Sequence, residues 1–289
     1  MGALGTHRAA SSGDGYQSEG PTQPIRPTRP IRLTQPTRPT RPTRPRRRSR
    51  IAVRMAKILF AVVLVVAAAV GLLFALTPSA GQATALTRAQ AQDRHIAYPG
   101  PAVPPYFAQA LIATEDHRFS TDPGVDPVAL GRVAINWILG RQDQGGSTID
   151  QQLAKNLYTG GHSGFAEDLE QLAMAVKLNQ AYSRAEILRM YAEVAYFGHG
   201  YYGLAAASCG YFGVTPAGLS WPQAAMLAGV VQAPSADNPI AHLAVARARE
   251  AHVLGRLATT GKLTQAQASR AYRQPLHLIG GPSTGCTAR

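Results

Sequence analysis

Residues 145–156 read GGSTIDQQLAKN, and their types and order suit the binding of an anion. Gly145 and Gly146 let a ligand come close to the backbone. Thr148, with Gln151 three places on, forms a capping box that starts a helix here. The N-terminus of such a helix presents unpaired N–H groups and the positive end of its dipole, a setting for phosphate or pyrophosphate. Ser147, Gln152, Lys155 and Asn156 add a hydroxyl, two amides and a cation within about two turns. A plain N-cap would use the same Gly-Ser-Thr start, so the anion reading rests on the whole string.

Groups of this kind need rigid elements to hold them, and the apolar spacing predicts helices. Phe107, Ala110, Leu111 and Thr114 share one face, and Leu169, Leu172, Ala173 and Val176 share another. Ser183 with Glu186 is a second capping box, opening a helix whose buried stripe is Ile187, Met190, Tyr191 and Val194. Ser220 with Gln223 and Thr264 with Gln267 open two more. Alternating β patterns are nearly absent, so residues 87–263 are expected to form a single all-α domain around one core.

The rest of the chain places that domain. Residues 1–57 carry 13 of the 29 Lys and Arg but only two of the 16 acids, so they hold +11 of the net +13. The body is close to neutral, which argues against nucleic acid as its partner. Residues 1–57 read as a disordered basic tail, rich in Arg, Pro and Thr, lying in the cytoplasm. Residues 58–76 contain no charge and, as a helix, span roughly 28 Å, the length of a transmembrane anchor. A cleaved signal peptide would have a shorter apolar run and a shorter leader. All nearby Lys and Arg precede the run, which predicts an N-terminus in the cytoplasm and the remainder outside. Residues 77–103 then read as a linker, 104–263 as the domain, and 264–289 as a C-terminal helix and tail. Cys209 and Cys286 could pair outside the cell, but read first as a small buried residue and a loose tail residue. No metal-ligand spacing appears among the histidines.

The string at 145–156 closely resembles the second motif of the peptidoglycan glycosyltransferases, the family that polymerises lipid II. The first motif is matched by Glu115-Asp116-His117-Arg118-Phe119, followed by Gly124-Val125-Asp126-Pro127. The fourth is matched by Ile187-Leu188-Arg189-Met190-Tyr191, with Tyr196-Phe197-Gly198-His199-Gly200 and Tyr211-Phe212-Gly213 after it. The fifth is matched by Ala224-Ala225-Met226-Leu227-Ala228-Gly229, then Gln232-Ala233-Pro234-Ser235. The resemblance implies a lysozyme-like helical fold, with a lipid-facing lobe beside the cytoplasmic membrane. It also implies a reaction in which an acceptor hydroxyl loses a proton while an anomeric carbon loses undecaprenyl pyrophosphate. Glu115 matches the family's base, with Asp116 beside it orienting neighbours. Gly146, Ser147, Thr148, Gln151, Gln152, Lys155, Asn156, Phe119 and Gln171 are the implied contacts to substrate. The implied partners are lipid II, the nascent glycan strand and other cell-wall synthesis proteins. No organic cofactor is implied. Only 26 residues follow Leu263, too few for a transpeptidase domain.

The match has departures. Glu167 and Asp168 stand where the third motif has an Arg-Lys pair, and Gln171 stands where it has a second glutamate. Asp122 replaces a histidine of the first motif, and Glu193 an asparagine of the fourth. An anionic donor would meet less positive potential at these acids. Either a divalent cation, Mg2+ or Mn2+, bridges them to the pyrophosphate, or catalysis is weakened and the chain is a lipid II- or glycan-binding scaffold. A glycan-cleaving lytic enzyme would need a carboxylic acid but not the anion-binding helix start.

Overall fold

The structure, a computed structural model, describes residues 46–129, 131, 135, 139, 146–162, 164–279 and 286. Most of the expected basic tail and Gly145 lie outside the described residues. All the regular elements described are helical, and one isolated bridge, Tyr196 to Tyr202, is the only β pairing among them.

Helix α1 spans Arg46–Leu76 and so begins well before the apolar run, inside the segment expected to be a disordered tether. The reason is compositional. Pro45 is the last of the prolines, and no other breaks the chain until Pro78. From residue 51 to Leu72 the helix is fully exposed, and its most apolar window averages a hydropathy of 3.0. One cation meets a carbonyl of its last turn and the chain that follows. Lys177 Nζ donates to Phe74 O at 2.8 Å, Thr77 O at 2.9 Å, Thr77 Oγ1 at 2.8 Å and Pro78 O at 3.0 Å.

A 3-10 turn at Ala80–Gln82 leads into α2, Ala83–Asp93. This region was expected to be linker, yet Ala83, Thr87 and Ala91 are buried. Two polar contacts lock it down: Gln90 Nε2 donates to Asn156 O at 2.8 Å and Arg94 Nη1 to Val194 O at 3.2 Å. Helices α3 (Pro105–Glu115), α4 (Ile149–Tyr158), α5 (Phe165–Ala181) and α6 (Arg184–Val194) follow. Then come α7 (Leu204–Phe212), α8 (Trp221–Val230), α9 (Leu243–Thr259) and α10 (Gln265–Arg273). All four capping boxes read from the sequence are formed, at Thr148, Ser183, Ser220 and Thr264.

A single apolar core joins α3 to α10, with Phe107, Leu111, Leu153, Met174, Ile187, Tyr191, Met226 and Leu257 in it. The buried stripe of α6 is the one its spacing predicts. That of α5 is not. Gln171, Ala173, Met174, Ala175 and Leu178 are buried, so of the expected stripe Ala173 is buried, whereas Leu169, Leu172 and Val176 are half-buried. The stripe is set by packing against α4, and apolar spacing alone could not tell which of two adjoining faces would be chosen.

The cysteines are also corrected: Cys209 and Cys286 form a disulfide. The chain after α10 lies against the domain, where Ile279 N donates to Tyr211 O at 2.9 Å and Gln223 Nε2 to Leu276 O at 3.0 Å. Cys286 is thereby brought back to α7.

Gly124 is one position where no side chain fits. Its φ is +94°, and a Cβ there would lie 2.4 Å from Ala175 O and 2.9 Å from Asn179 Cβ. Gly124→Ala is expected to destabilise the fold by on the order of 3 kcal/mol, combining backbone strain with a clash against rigid helix. Urea midpoints of the two proteins measure this, and equal midpoints would show that the segment can lift off α5.

Candidate active site

A cleft of about 690 Å³ opens where α3 ends, α4 begins, and α6 and α9 pass alongside. That volume lies within the range of small-molecule sites. Glu115, the last residue of α3, lines it. The end of α3 is held by Arg256 of α9, whose Nε donates to Ala113 O at 3.0 Å. Glu115 Oε2 accepts from Gln152 Nε2 at 2.8 Å, and Gln152 Oε1 accepts from Tyr191 OH at 2.8 Å. Burial pushes the Glu115 carboxyl up, opposed by the Gln152 hydrogen bond and the positive charge of Arg249. A carboxylate held near a cleft with a raised pKa has the properties of a general base.

From the start of α4, Gly146, Ser147, Gln151, Gln152, Lys155 and Asn156 all line the cleft. Thr148 does not. It is buried as the N-cap, its Oγ1 accepting from Gln151 N at 3.1 Å and donating to Gly124 O at 2.6 Å. Asp116 likewise turns away from the cleft and accepts the Ile149 N–H through Oδ2 at 3.1 Å. Phe119 is buried core, with the Arg184 guanidinium 4.9 Å above its ring. None of these three lines the cleft. Thr148 and Asp116 tie the first motif to the second, which sets where Glu115 sits relative to the α4 N-terminus.

The departures from the family pattern also resolve by position. Asp122 is buried behind the cleft, where Oδ1 accepts from Gly124 N at 2.9 Å. Glu193 is buried too, accepting from Gly100 N at 2.8 Å with Arg189 Nε at 3.4 Å. Glu167 is absent from the cleft lining, whereas Asp168 and Gln171 are part of it. The electrostatic penalty expected from four acids is thus reduced to one. Gln171 has a reason to be an amide: its Nε2 donates to Thr159 Oγ1 at 3.1 Å and to His162 O at 3.0 Å. An ionised glutamate cannot donate to a carbonyl, so the amide braces the turn after α4 in a way the family's carboxylate could not.

The cleft contains residues the sequence did not point to. Arg249 and His252, one turn apart on α9, line it beside Gln232 and Pro234 of the fifth motif, which the sequence did single out. Arg249 is anchored by buried Asp237, whose Oδ2 accepts from its Nε at 3.0 Å. Gly229 permits this approach of α8 to α9, since a Cβ there would meet Arg249 Cβ at 3.0 Å. The i, i+3 spacing of two basic groups was the only available signal, and exposed helix faces show it routinely.

Among the described residues, the carboxylates close enough to share one ion are Asp116, Asp122 and Asp150, with ligand atoms within 4.8 Å of one another. They lie in the interior, and Arg184 already contacts two of them, at 3.3 Å from Asp150 Oδ2 and 3.9 Å from Asp122 Oδ1. Asp168 and Glu167 belong to no such group. Of the acids that depart from the family pattern only Asp168 lines the cleft, so an ion bridging there to pyrophosphate would draw its remaining ligands from the substrate and water.

Residues 82–258 match the family model described as Transglycosylase. Penicillin-binding protein 1A of Aquifex aeolicus is 38% identical over 175 residues, 60% of this chain and 24% of its own. A Cupriavidus necator protein provisionally named a transglycosylase is 33% identical over 176 residues, 61% of this chain and 76% of that one. A crystal structure of penicillin-binding protein 1A from Haemophilus influenzae overlaps 35% of this chain and 15% of its own at 29% identity and a TM-score of 0.33, too little to bear on the fold. The chain spans about a quarter of the length of the penicillin-binding proteins it matches. With the model covering more than half of its residues, the chain belongs to the transglycosylase family.

Proposed function

We propose that the chain is a membrane-anchored peptidoglycan glycosyltransferase that polymerises lipid II and releases undecaprenyl pyrophosphate. The observation that carries the reading is Glu115, held by Gln152 at 2.8 Å, in one cleft with the N-terminal residues of α4. Glu115 takes the proton of the acceptor hydroxyl as that oxygen bonds to the donor's anomeric carbon. The bond from that carbon to the pyrophosphate oxygen breaks, and the pyrophosphate leaves with the electron pair. The α4 N-terminus, Ser147 and Lys155 stabilise the negative charge that develops there. Anchoring is supported by the exposed apolar helix α1, and an external domain by the Lys and Arg upstream of it. The Cys209–Cys286 bridge fits an oxidising compartment.

Purified protein incubated with lipid II in detergent should yield glycan polymer, sized on a gel. Lys155→Ala should lose most of the rate. A dependence on Mg2+ or Mn2+ would have to come from an ion carried by the substrate's own phosphates. Asp168 and Gln171 on the cleft wall favour a second reading, a binding homologue that does not polymerise. Binding of lipid II by the parent protein without any polymer would select it, and rates indifferent to Lys155→Ala would remove the pyrophosphate assignment.

A further inference from the structure

The cleft holds one buried group the reaction does not use. Tyr191 is 2% exposed, and its hydroxyl donates to Gln152 Oε1 at 2.8 Å. The orientation of that amide follows from its other contact. An ionised carboxylate only accepts hydrogen bonds, so the NH2 of Gln152 must face Glu115 and the carbonyl must face the phenol. Glu115 Oε2 is thereby occupied, while Oε1 accepts no hydrogen bond among the described residues.

We propose that Tyr191, acting through Gln152, is a positioning residue that commits Oε2 of Glu115 to a fixed hydrogen bond and leaves Oε1 as the more basic oxygen, the one that receives the acceptor's proton. The amide cannot rotate without turning its carbonyl toward a carboxylate and stranding the phenol in the core. Burial, and then the negative charge of Glu115, hold the phenol of Tyr191 above the ordinary range, so it stays a donor throughout turnover. The charged and titratable groups that share the cleft with Glu115 and Tyr191 are Lys155 from α4, Asp168 from α5, Tyr196 after α6, and Arg249 and His252 from α9. The two hydrogen bonds of Gln152, to Glu115 and from Tyr191, set the amide's direction.

This inference rests on Glu115 acting as the base, and the test separates the two. In full-length protein the Glu115 carboxyl is titrated by infrared difference against Glu115→Gln, and lipid II polymerisation is followed over the same pH range. Without the phenol, the amide can turn its oxygen toward Glu115, so Tyr191→Phe should favour protonation of Glu115 about tenfold at a given pH. The acidic limb of the rate profile should move up with it. Gln152→Ala, at a half-buried position, should do the same and carries the test if the buried substitution prevents folding. The double variant should shift no further than Gln152→Ala alone. A Glu115 titration in Tyr191→Phe identical to the parent's, a shift that adds in the double variant, or a rate loss uniform across pH would each overturn the proposal. The carboxyl titration needs no turnover, so a parent that never polymerises would sink the proposed function while this network was still decided.

Discussion

Glu115→Gln is expected to lower lipid II polymerisation by roughly 10²–10⁴-fold, the usual effect of removing a general base. The substitution keeps the shape of the side chain but not its ability to take a proton. The hydrogen bond from Gln152 at 2.8 Å can be retained by the amide oxygen, so the end of α3 should stay where it is. The loss should therefore fall on kcat, with lipid II binding and thermal stability close to the parent's. Burial raises the Glu115 carboxyl, so the parent's rate should decline on the acid side at a higher pH than for a solvated glutamate. Polymerisation by the variant at the parent's rate would remove Glu115 from the reaction.

The second large effect concerns stability. Arg184 joins two of the three buried acids behind the cleft: Nη1 bonds Asp150 at 3.3 Å, Nη2 bonds the Asp122 carbonyl, and its guanidinium covers Phe119. Burial, then the negative charge of Asp122, push Asp116 up to about 7. Burial pushes Asp150 up to about 6 against the opposing pull of Asn179 and Arg184. Both values exceed those of unfolded aspartate. The stability their protonated forms contribute is complete below about pH 4 and is lost as pH climbs through 6 to 7. Arg184→Met keeps the packing over Phe119 but strands the carboxylates, at a cost of about 3 kcal/mol at pH 8. At pH 5, where Asp150 carries a proton, the cost should be clearly smaller. Urea midpoints at the two pH values measure it, and an equal loss at both would mean that these acids do not titrate against Arg184.

Local chemistry was the legible part of the sequence. Each capping box is a pattern within four residues, and all four formed as read. The stripe of α6 was equally local. What failed depends on partners far along the chain. The spacing 169/172/173/176 is a sound helical stripe, but α4 packs against the neighbouring face. Thr148 and Phe119 stand within motifs and so looked like substrate contacts, yet both are turned inward, Thr148 to the first motif and Phe119 to Arg184. Arg249 joined the cleft only because α9 folds back across α8 at Gly229, about 130 residues after Glu115. The cysteine bridge closes over 77 residues, a distance no spacing rule addresses.

The ammonium of Lys177, gripping one carbonyl in the last turn of α1 and two just beyond it, changes what kind of attachment that helix provides. Only Thr77, Pro78 and Ser79 separate α1 from the next turn, so there is no slack between them. A domain on a flexible leash explores a volume set by the leash, and its local concentration over the surface is diluted accordingly. This domain is instead mounted like a tool head on a shaft. For a chain anchored by α1, the depth at which that helix settles would fix the height and heading of the cleft over the lipid surface.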